Sequence, residues 1–292
     1  MTFQDVATRV FSLYREADYR SALAVAQDAR LSHPEEDNTL TFWEACLLAR
    51  LGRKQEAMET LLAGIERGEW WPTGKLIDHD LDSVRDEPGW ETVHAHCLAM
   101  TQSLLDERPR PMVRKGTGSG TLVTIQGAHA MQEDLFTTWQ QATPERWTVI
   151  TPVASEPTGD GGWEWPHSLD VSVRSLTSDL RGFDLSPPLV LAGFSIGSAI
   201  ACHMINSTAQ GADGLVAIAP SATGEFGELL EATYSVRSLV VCGDQDSRVD
   251  RYRHLESQLA NREQVDFELV EGLGHANPPD LDRRVAQFLA NF

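Results

Sequence analysis

The sequence predicts an α/β fold, a mostly parallel sheet flanked by helices, preceded by an all-α helical-repeat domain. Three observations carry this expectation. From Thr121 onward, apolar runs of strand length alternate with runs of helical period, the pattern of a parallel sheet that gathers ligand chemistry at the carboxyl ends of its strands. Before that, the chain repeats a helical pattern and carries no glycine-rich turn between strand and helix. Between the two, Arg108-Pro109-Arg110-Pro111 and Lys115-Gly116-Thr117-Gly118-Ser119-Gly120 punctuate the chain as a boundary does. The expected division is 1–110 for the helical domain, 111–120 for a linker or leading strand, and 121–292 for the α/β domain.

In the first part, Phe3 to Ala29 and Thr41 to Glu66 have helical patterns that match in register: Leu13, Ala17, Ala22 and Leu23 recur as Leu48, Gly52, Ala57 and Met58. The period and the small residues at helix contacts resemble tetratricopeptide repeats, most clearly at Asp18-Tyr19-Arg20-Ser21-Ala22-Leu23 and Gly52-Arg53-Lys54-Gln55-Glu56-Ala57-Met58, with His33-Pro34 ending the first unit. Two such units cannot bury enough apolar surface alone. They are expected to pack on Leu76 to Leu105 or on the α/β domain, and Asp80 to Trp90 resembles a segment that closes such repeat domains. Trp70-Trp71-Pro72 reads either as glue between domains or as a cover over a site. A helical-repeat domain implies a protein partner or a role in shaping access.

The second part reads, in order, as strand Thr121–Ile125, helix Met131–Ala142, strand Trp147–Thr151, helix Leu169–Arg181, strand Pro188–Gly193, helix Ser195–Ala209 and strand Leu215–Ala219. Strand Ser238–Cys242, helix Asp250–Asn261, strand Val265–Val270 and helix Pro279–Asn291 follow. Gly193-Phe194-Ser195-Ile196-Gly197 joins a strand to a helix, which is the context of a nucleophile elbow: the glycines remove side chains that would clash in a sharp turn, and the serine hydroxyl is pushed out above the sheet. The bland reading is a glycine-rich connection and no more.

A serine hydroxyl needs an imidazole to take its proton and a carboxylate to fix the imidazole's tautomer. His275, after the last strand, is the candidate base. The loop after Ser238–Cys242 offers Asp244, Asp246 and Asp250, and aspartates there are often only turn formers. These features together resemble the α/β-hydrolase superfamily over the whole second part, and its compact members of the phospholipase/carboxylesterase and dienelactone-hydrolase type most of all. The stretch from Ala219 to Arg237 is too short for the helical cap many relatives insert, and only Met112-Val113-Arg114 is left for a leading strand. The resemblance favours Asp246, through Gly243-x-x-Asp246-x-x-Val249, as the acid of a triad with Ser195 and His275. It implies an oxyanion hole from the backbone N–H groups of Ala128 and Ile196, with Gln126 where relatives carry histidine. His129 either meets substrate or caps the next segment, and Trp163 and Trp165 either wall the substrate pocket or pack against the body of the domain.

What the resemblance implies is a carboxylesterase-like serine hydrolase acting on a small-molecule ester, a thioester or an amide through an acyl-enzyme, with no cofactor and no metal. The alternative is a helical-repeat interaction protein on a non-catalytic scaffold. A formal charge of -19 over 292 residues argues against nucleic acid and anionic membranes as partners. The four cysteines lack metal spacing, no apolar run approaches a membrane span, and no basic and apolar pair at the N-terminus suggests a signal peptide, so a cytoplasmic location is expected.

Overall fold

The computed structural model describes residues 2–128, 131–159, 161–166, 168–207, 211–221 and 236–292. The chain forms two compact units, one of Met1–Glu107 with Glu156–Gly162, the other of Arg108–Ser155 with Trp163–Phe292. The break after Glu107 lies beside the Arg-Pro pairs. Residues 156–162, which the sequence places in a loop of the sheet domain, cluster with the helices instead.

The first unit is built from α1 (Phe3–Arg15), α2 (Tyr19–Ala29), α3 (Asp37–Arg50), α4 (Lys54–Glu66), α5 (Thr73–Leu76), a 3₁₀ segment over His79–Val84, and α6 (Trp90–Leu105). Thr2 and Asp5 form a reciprocal cap on α1, satisfying N–H groups that a helix start leaves unpaired. The α1–α2 and α3–α4 turns are the same structure twice. Ala17 and Gly52 both sit in the left-handed region, at φ 59° and 76°. In each turn the next N–H reaches back to an equivalent carbonyl, Asp18 to Leu13 and Arg53 to Leu48, both at 2.9 Å. Ala22 and Ala57, at matching places in the following helices, are fully buried; a methyl is all that close helix packing leaves room for. Trp70 and Trp71 belong to this unit's own core. Trp71 Nε1 donates to the Asn38 carbonyl and Asn38 Nδ2 donates to the Trp70 carbonyl, each at 3.1 Å. The pair is therefore core packing, which replaces the expectation of glue or cover.

The second unit carries β1 (Met112–Arg114), β2 (Thr121–Ile125), α7 (Gln132–Ala142), β3 (Thr148–Thr151), then α8 (Leu169–Leu180), β6 (Leu189–Phe194), α9 (Ile196–Ser207) and β7 (Gly214–Ile218). The two-residue strands β4 (Glu156–Pro157) and β5 (Trp163–Glu164) bracket the excursion after β3. β8 (Arg237–Gly243), a helix here called α10 (Val249–Leu259), β9 (Val265–Val270) and a helix called α11 (Leu281–Leu289) complete it. The main sheet has the order β1-β3-β2-β6-β7-β8-β9. β1 runs antiparallel to β3, and every other neighbouring pair is parallel. Residues 112–114 of the expected linker thus supply an edge strand. The stretch expected to be too short for a cap lies mostly outside the described residues, at 222–235.

Both faces of the sheet are covered, which is why its strands read as unbroken apolar runs. Leu189 and Leu191 of β6 point to a core shared with α8, α9 and α10, while Val190 and Ala192 point to a core shared with α7 and α11. The chain winds from β2 one way to β3 and then restarts at β6 on the other side of β2. The carboxyl ends of β2 and β6 therefore flank a switch point, where loops diverge and leave a crevice.

Two glycine substitutions separate local strain from steric exclusion. At Gly52 an added Cβ meets open space but keeps a left-handed backbone, so Gly52→Ala costs about 1–2 kcal/mol in urea unfolding followed by tryptophan fluorescence. At Gly193 the Cβ would lie 2.2 Å from the Gly197 carbonyl carbon, so Gly193→Ala leaves the sheet unit unfolded. Equal, small losses at the two positions would contradict this account.

Candidate active site

Ser195 lies between β6 and α9 with φ at 54°. A side chain in this region crowds the following carbonyl, so the conformation persists only because neighbours fix it. The Ser195 N–H donates to the Ile218 carbonyl at 2.9 Å, and its carbonyl accepts from the N–H groups of Ser198 and Ser221, each at 3.1 Å. The Ser198 hydroxyl closes the turn from inside by donating to the Gly193 carbonyl at 2.8 Å. The two flanking glycines have distinct steric reasons. A Cβ at Gly193 would strike the Gly197 backbone, and one at Gly197 would lie 2.2 Å from the Ile125 carbonyl oxygen at the end of β2.

His275 follows β9, and its Nε2 is 3.0 Å from Ser195 Oγ. Its Nδ1 is 2.7 Å from Asp246 Oδ2. With Nδ1 donating to the carboxylate, Nε2 presents a lone pair to the serine hydroxyl, the tautomer that proton abstraction requires. The Phe194 ring packs 5.0 Å from the imidazole, centroid to centroid. The Asp246 carboxylate is fully buried. Oδ1 accepts from the Arg248 N–H at 3.0 Å and lies 3.4 Å from Arg248 Nη1, and Oδ2 accepts from the Tyr252 hydroxyl at 3.0 Å. Burial works to raise the Asp246 pKa, but the hydrogen bond from His275, the Arg248 N–H, the His275 charge and the Tyr252 hydroxyl outweigh it. They bring it from 3.8 down to about 2.

Asp244 and Asp250 take other parts. Asp244 Oδ1 accepts from the Gly272 N–H at 2.8 Å, tying the acid loop to the histidine loop. Asp250 is exposed and faces Arg253 at 3.6 Å. Gly243 explains how the two loops come so close: a Cβ there would be 2.0 Å from the Leu273 carbonyl oxygen.

The turn Gln126-Gly127-Ala128 leaves β2 beside the elbow. Ile196 opens α9, where a helix provides no carbonyl for its N–H; with Ala128 on the neighbouring turn, both sequence-expected donors lie at the switch point. Gln126, in the place where the resemblance calls for histidine, is buried, and its Nε2 donates to the Trp163 carbonyl at 2.7 Å. Trp165, buried as well, donates from Nε1 to the Gln126 carbonyl at 3.1 Å. Trp165 therefore braces the turn from within the domain, while Trp163 is half-buried against the same core. His129 lies outside the described residues. The structure thus brings together Ser195, His275 and Asp246, sets the turns of Ala128 and Ile196 beside them, and places Trp165 beneath. Sequence reasoning missed Tyr252 and Arg248. The signal for Tyr252 was present, since it shares one apolar face of α10 with Leu255 and Leu259, and a tyrosine in such a stripe needs a partner for its hydroxyl.

The chain matches no family model, and no curated protein is similar to it in sequence. Among solved structures, an uncharacterized protein from Bacillus cereus ATCC 10987 is similar over 100% of this chain and 98% of its own, at 20% identity and a TM-score of 0.53. This likeness is one of fold, and it spans both units. Shorter matches include Zea mays acyl-protein thioesterase 2, at 17% identity and TM-score 0.47 over 63% of this chain and 99% of its own. A structure described as an alpha-beta serine hydrolase homologue from Coxiella burnetii matches at 18% identity and TM-score 0.48 over 62% of this chain and 90% of its own. What these likenesses show is the fold, a mostly parallel sheet with helices on both faces.

The acid's environment sets two expectations. Asp246→Asn lowers kcat by about 10⁴-fold, as in the serine-protease case where the wrong tautomer is imposed, whereas Asp250→Asn stays within about twofold of wild type and Asp244→Asn costs far less than Asp246→Asn. A crippled Asp244→Asn beside an active Asp246→Asn would contradict the assignment. Because the folded pKa of Asp246 lies below its ordinary value, its contribution to stability is complete above pH 3.8 and is lost as pH falls through about 2. Wild-type unfolding free energy should thus drop more steeply than that of Asp246→Asn across this window, and parallel curves would contradict it.

Proposed function

We propose that the protein is a serine hydrolase that cleaves a carboxylic ester through an acyl-enzyme, with thioesters and amides as the neighbouring acyl classes. The observation that carries this reading is the line Ser195 Oγ, His275 Nε2 and Nδ1, Asp246 Oδ2, with contacts of 3.0 and 2.7 Å, ending on a serine held in the left-handed region. His275 takes the Ser195 proton as Oγ attacks the substrate carbonyl, and Asp246 stabilises the imidazolium. The N–H groups of Ala128 and Ile196 receive the developing oxyanion. Collapse expels the alcohol with the proton held on Nε2, and water, activated by the same imidazole, releases the acid. Neither a cofactor nor a metal is required by these steps. The half-buried Trp163 forms part of the substrate wall, and Trp165 supports the oxyanion turn.

The alternative, a non-catalytic scaffold carrying an interaction module, leaves the geometry unexplained: three separated residues have no packing reason to align in this order. The helical unit fits the interaction role within the enzyme. Its paired turns support a tetratricopeptide-like reading, and a groove of about 320 Å³ between its helices is lined by Arg30, Arg53, Arg67, Glu44, Glu56 and Glu59. Such a mixed-charge lining suits a polar segment of a protein partner. No helix among the described residues is long and apolar enough to cross a membrane.

The test is labelling with a fluorophosphonate, which traps an activated serine. One label per chain on Ser195 is expected, and Ser195→Ala should abolish labelling and lower ester cleavage by about 10³-fold or more. Labelling elsewhere, or undiminished turnover in Ser195→Ala, would reject the reading.

A further inference from the structure

Tyr252 occupies the first turn of α10 with only 1% of its surface exposed. Its hydroxyl lies 3.0 Å from Asp246 Oδ2 and 3.1 Å from the Pro220 carbonyl oxygen. It has one hydrogen for two acceptors, and the ionised one holds it more strongly. Burial first, and then the facing carboxylate, push its pKa well above the usual value, so it stays a donor.

We propose that Tyr252 is a positioning residue for the triad, holding Asp246 in the rotation that presents Oδ2 to His275 and keeping the shared proton on the imidazole. The inference rests on the serine-hydrolase reading. Oδ2 receives both the Tyr252 hydroxyl and His275 Nδ1, the latter at 2.7 Å. Oδ1 receives the Arg248 N–H at 3.0 Å, with Arg248 Nη1 at 3.4 Å. With donors on both oxygens, the carboxylate cannot rotate without breaking a charge-assisted bond. A hydroxyl donating to Oδ2 also makes that oxygen less basic, so when Ser195 gives up its proton, the imidazolium keeps its Nδ1 proton.

The second acceptor widens the role. Pro220 follows Ala219, whose φ is 42° and whose N–H donates to the Val241 carbonyl at 2.8 Å. Ser221, next in line, donates its N–H to the carbonyl of Ser195. Tyr252 thus stands between the acid and the strap that holds the nucleophile's backbone. A phenylalanine would fill the same space against Leu255 and Leu259. The hydroxyl is what the triad uses.

Tyr252→Phe is expected to lower kcat about tenfold with KM within twofold. The acid limb of its kcat/KM profile should move to higher pH, because a more basic carboxylate favours the imidazolium. Among the described residues, the other titratable or charged groups around Asp246 are His275, Arg248 and the buried Cys242 thiol, and the substitution leaves each of them in the chain. In an Asp246→Asn background the substitution should add no further loss, since the carboxylate it serves is gone. Wild-type kcat and an unmoved acid limb in Tyr252→Phe would overturn the proposal. So would a tenfold loss repeated in full on Asp246→Asn, which would mark packing alone. Should Tyr252→Phe be recovered unfolded, fluorotyrosine at position 252 is a stronger donor of nearly the same shape and should move the acid limb to lower pH; an unmoved limb overturns the role. A wild type without Ser195-dependent turnover overturns this proposal and the hydrolase reading together, whereas Ser195-dependent turnover indifferent to Tyr252 overturns this one alone.

Discussion

The left-handed backbone of Ser195 is the constraint on which the rest of the second unit depends. A non-glycine residue there costs about 1–2 kcal/mol, and the structure offsets that with bonds from three directions: β7 accepts its N–H, while α9 and the Ser221 strap donate to its carbonyl. Those bonds require β6 to lie beside β7, and they require α9 to start without a spacer. They also require no side chain at Gly193 or Gly197, where a Cβ would lie 2.2 Å from backbone atoms. Strain at one residue is thereby distributed into the order of the sheet.

The partner side of the site is built on the same economy of space. The acid and histidine loops leave adjacent parallel strands, and their backbones approach closely enough that Gly243 must lack a side chain. Asp244 then locks the pair through the Gly272 N–H, and the Gln245 N–H adds a bond to the Leu273 carbonyl at 2.9 Å. With the loops fixed, His275 reaches Ser195 and Asp246 at once. Asp246 can be both fully buried and ionised because each of its oxygens has donors. An acid loop that supplied a carboxylate alone would bury an unpaired charge.

The elements of the sheet unit were legible because each is a local pattern: unbroken apolar strands buried on both faces, helices with one apolar stripe, and a serine framed by glycines at a strand end. The equivalence of Ala17 and Gly52 was visible as a spacing of small residues, though nothing in an alanine announces a positive φ. Long-range partnerships stayed hidden. Trp70 and Trp71 looked like spare apolar surface, since the Asn38 carbonyl and amide that bind them lie more than thirty residues away. The migration of residues 156–162 to the helical unit is a matter of tertiary packing that no local period encodes. Gln126 read as a departure from the histidine of similar enzymes. Its amide instead ties the turn after β2 to Trp163, a contact across 37 positions. Tyr252 was one residue of an apolar stripe until its hydroxyl was seen to face Asp246.

The central claim is that Ser195 becomes covalently acylated during turnover, and pre-steady-state cleavage of a chromogenic ester with intact-protein and peptide mass spectrometry measures it most directly. The account predicts a burst of alcohol close to one equivalent per chain, with an acyl mass on the peptide that contains Ser195 and decay of that adduct at the steady-state rate. A linear time course with no adduct, or an adduct on a different residue, would contradict it.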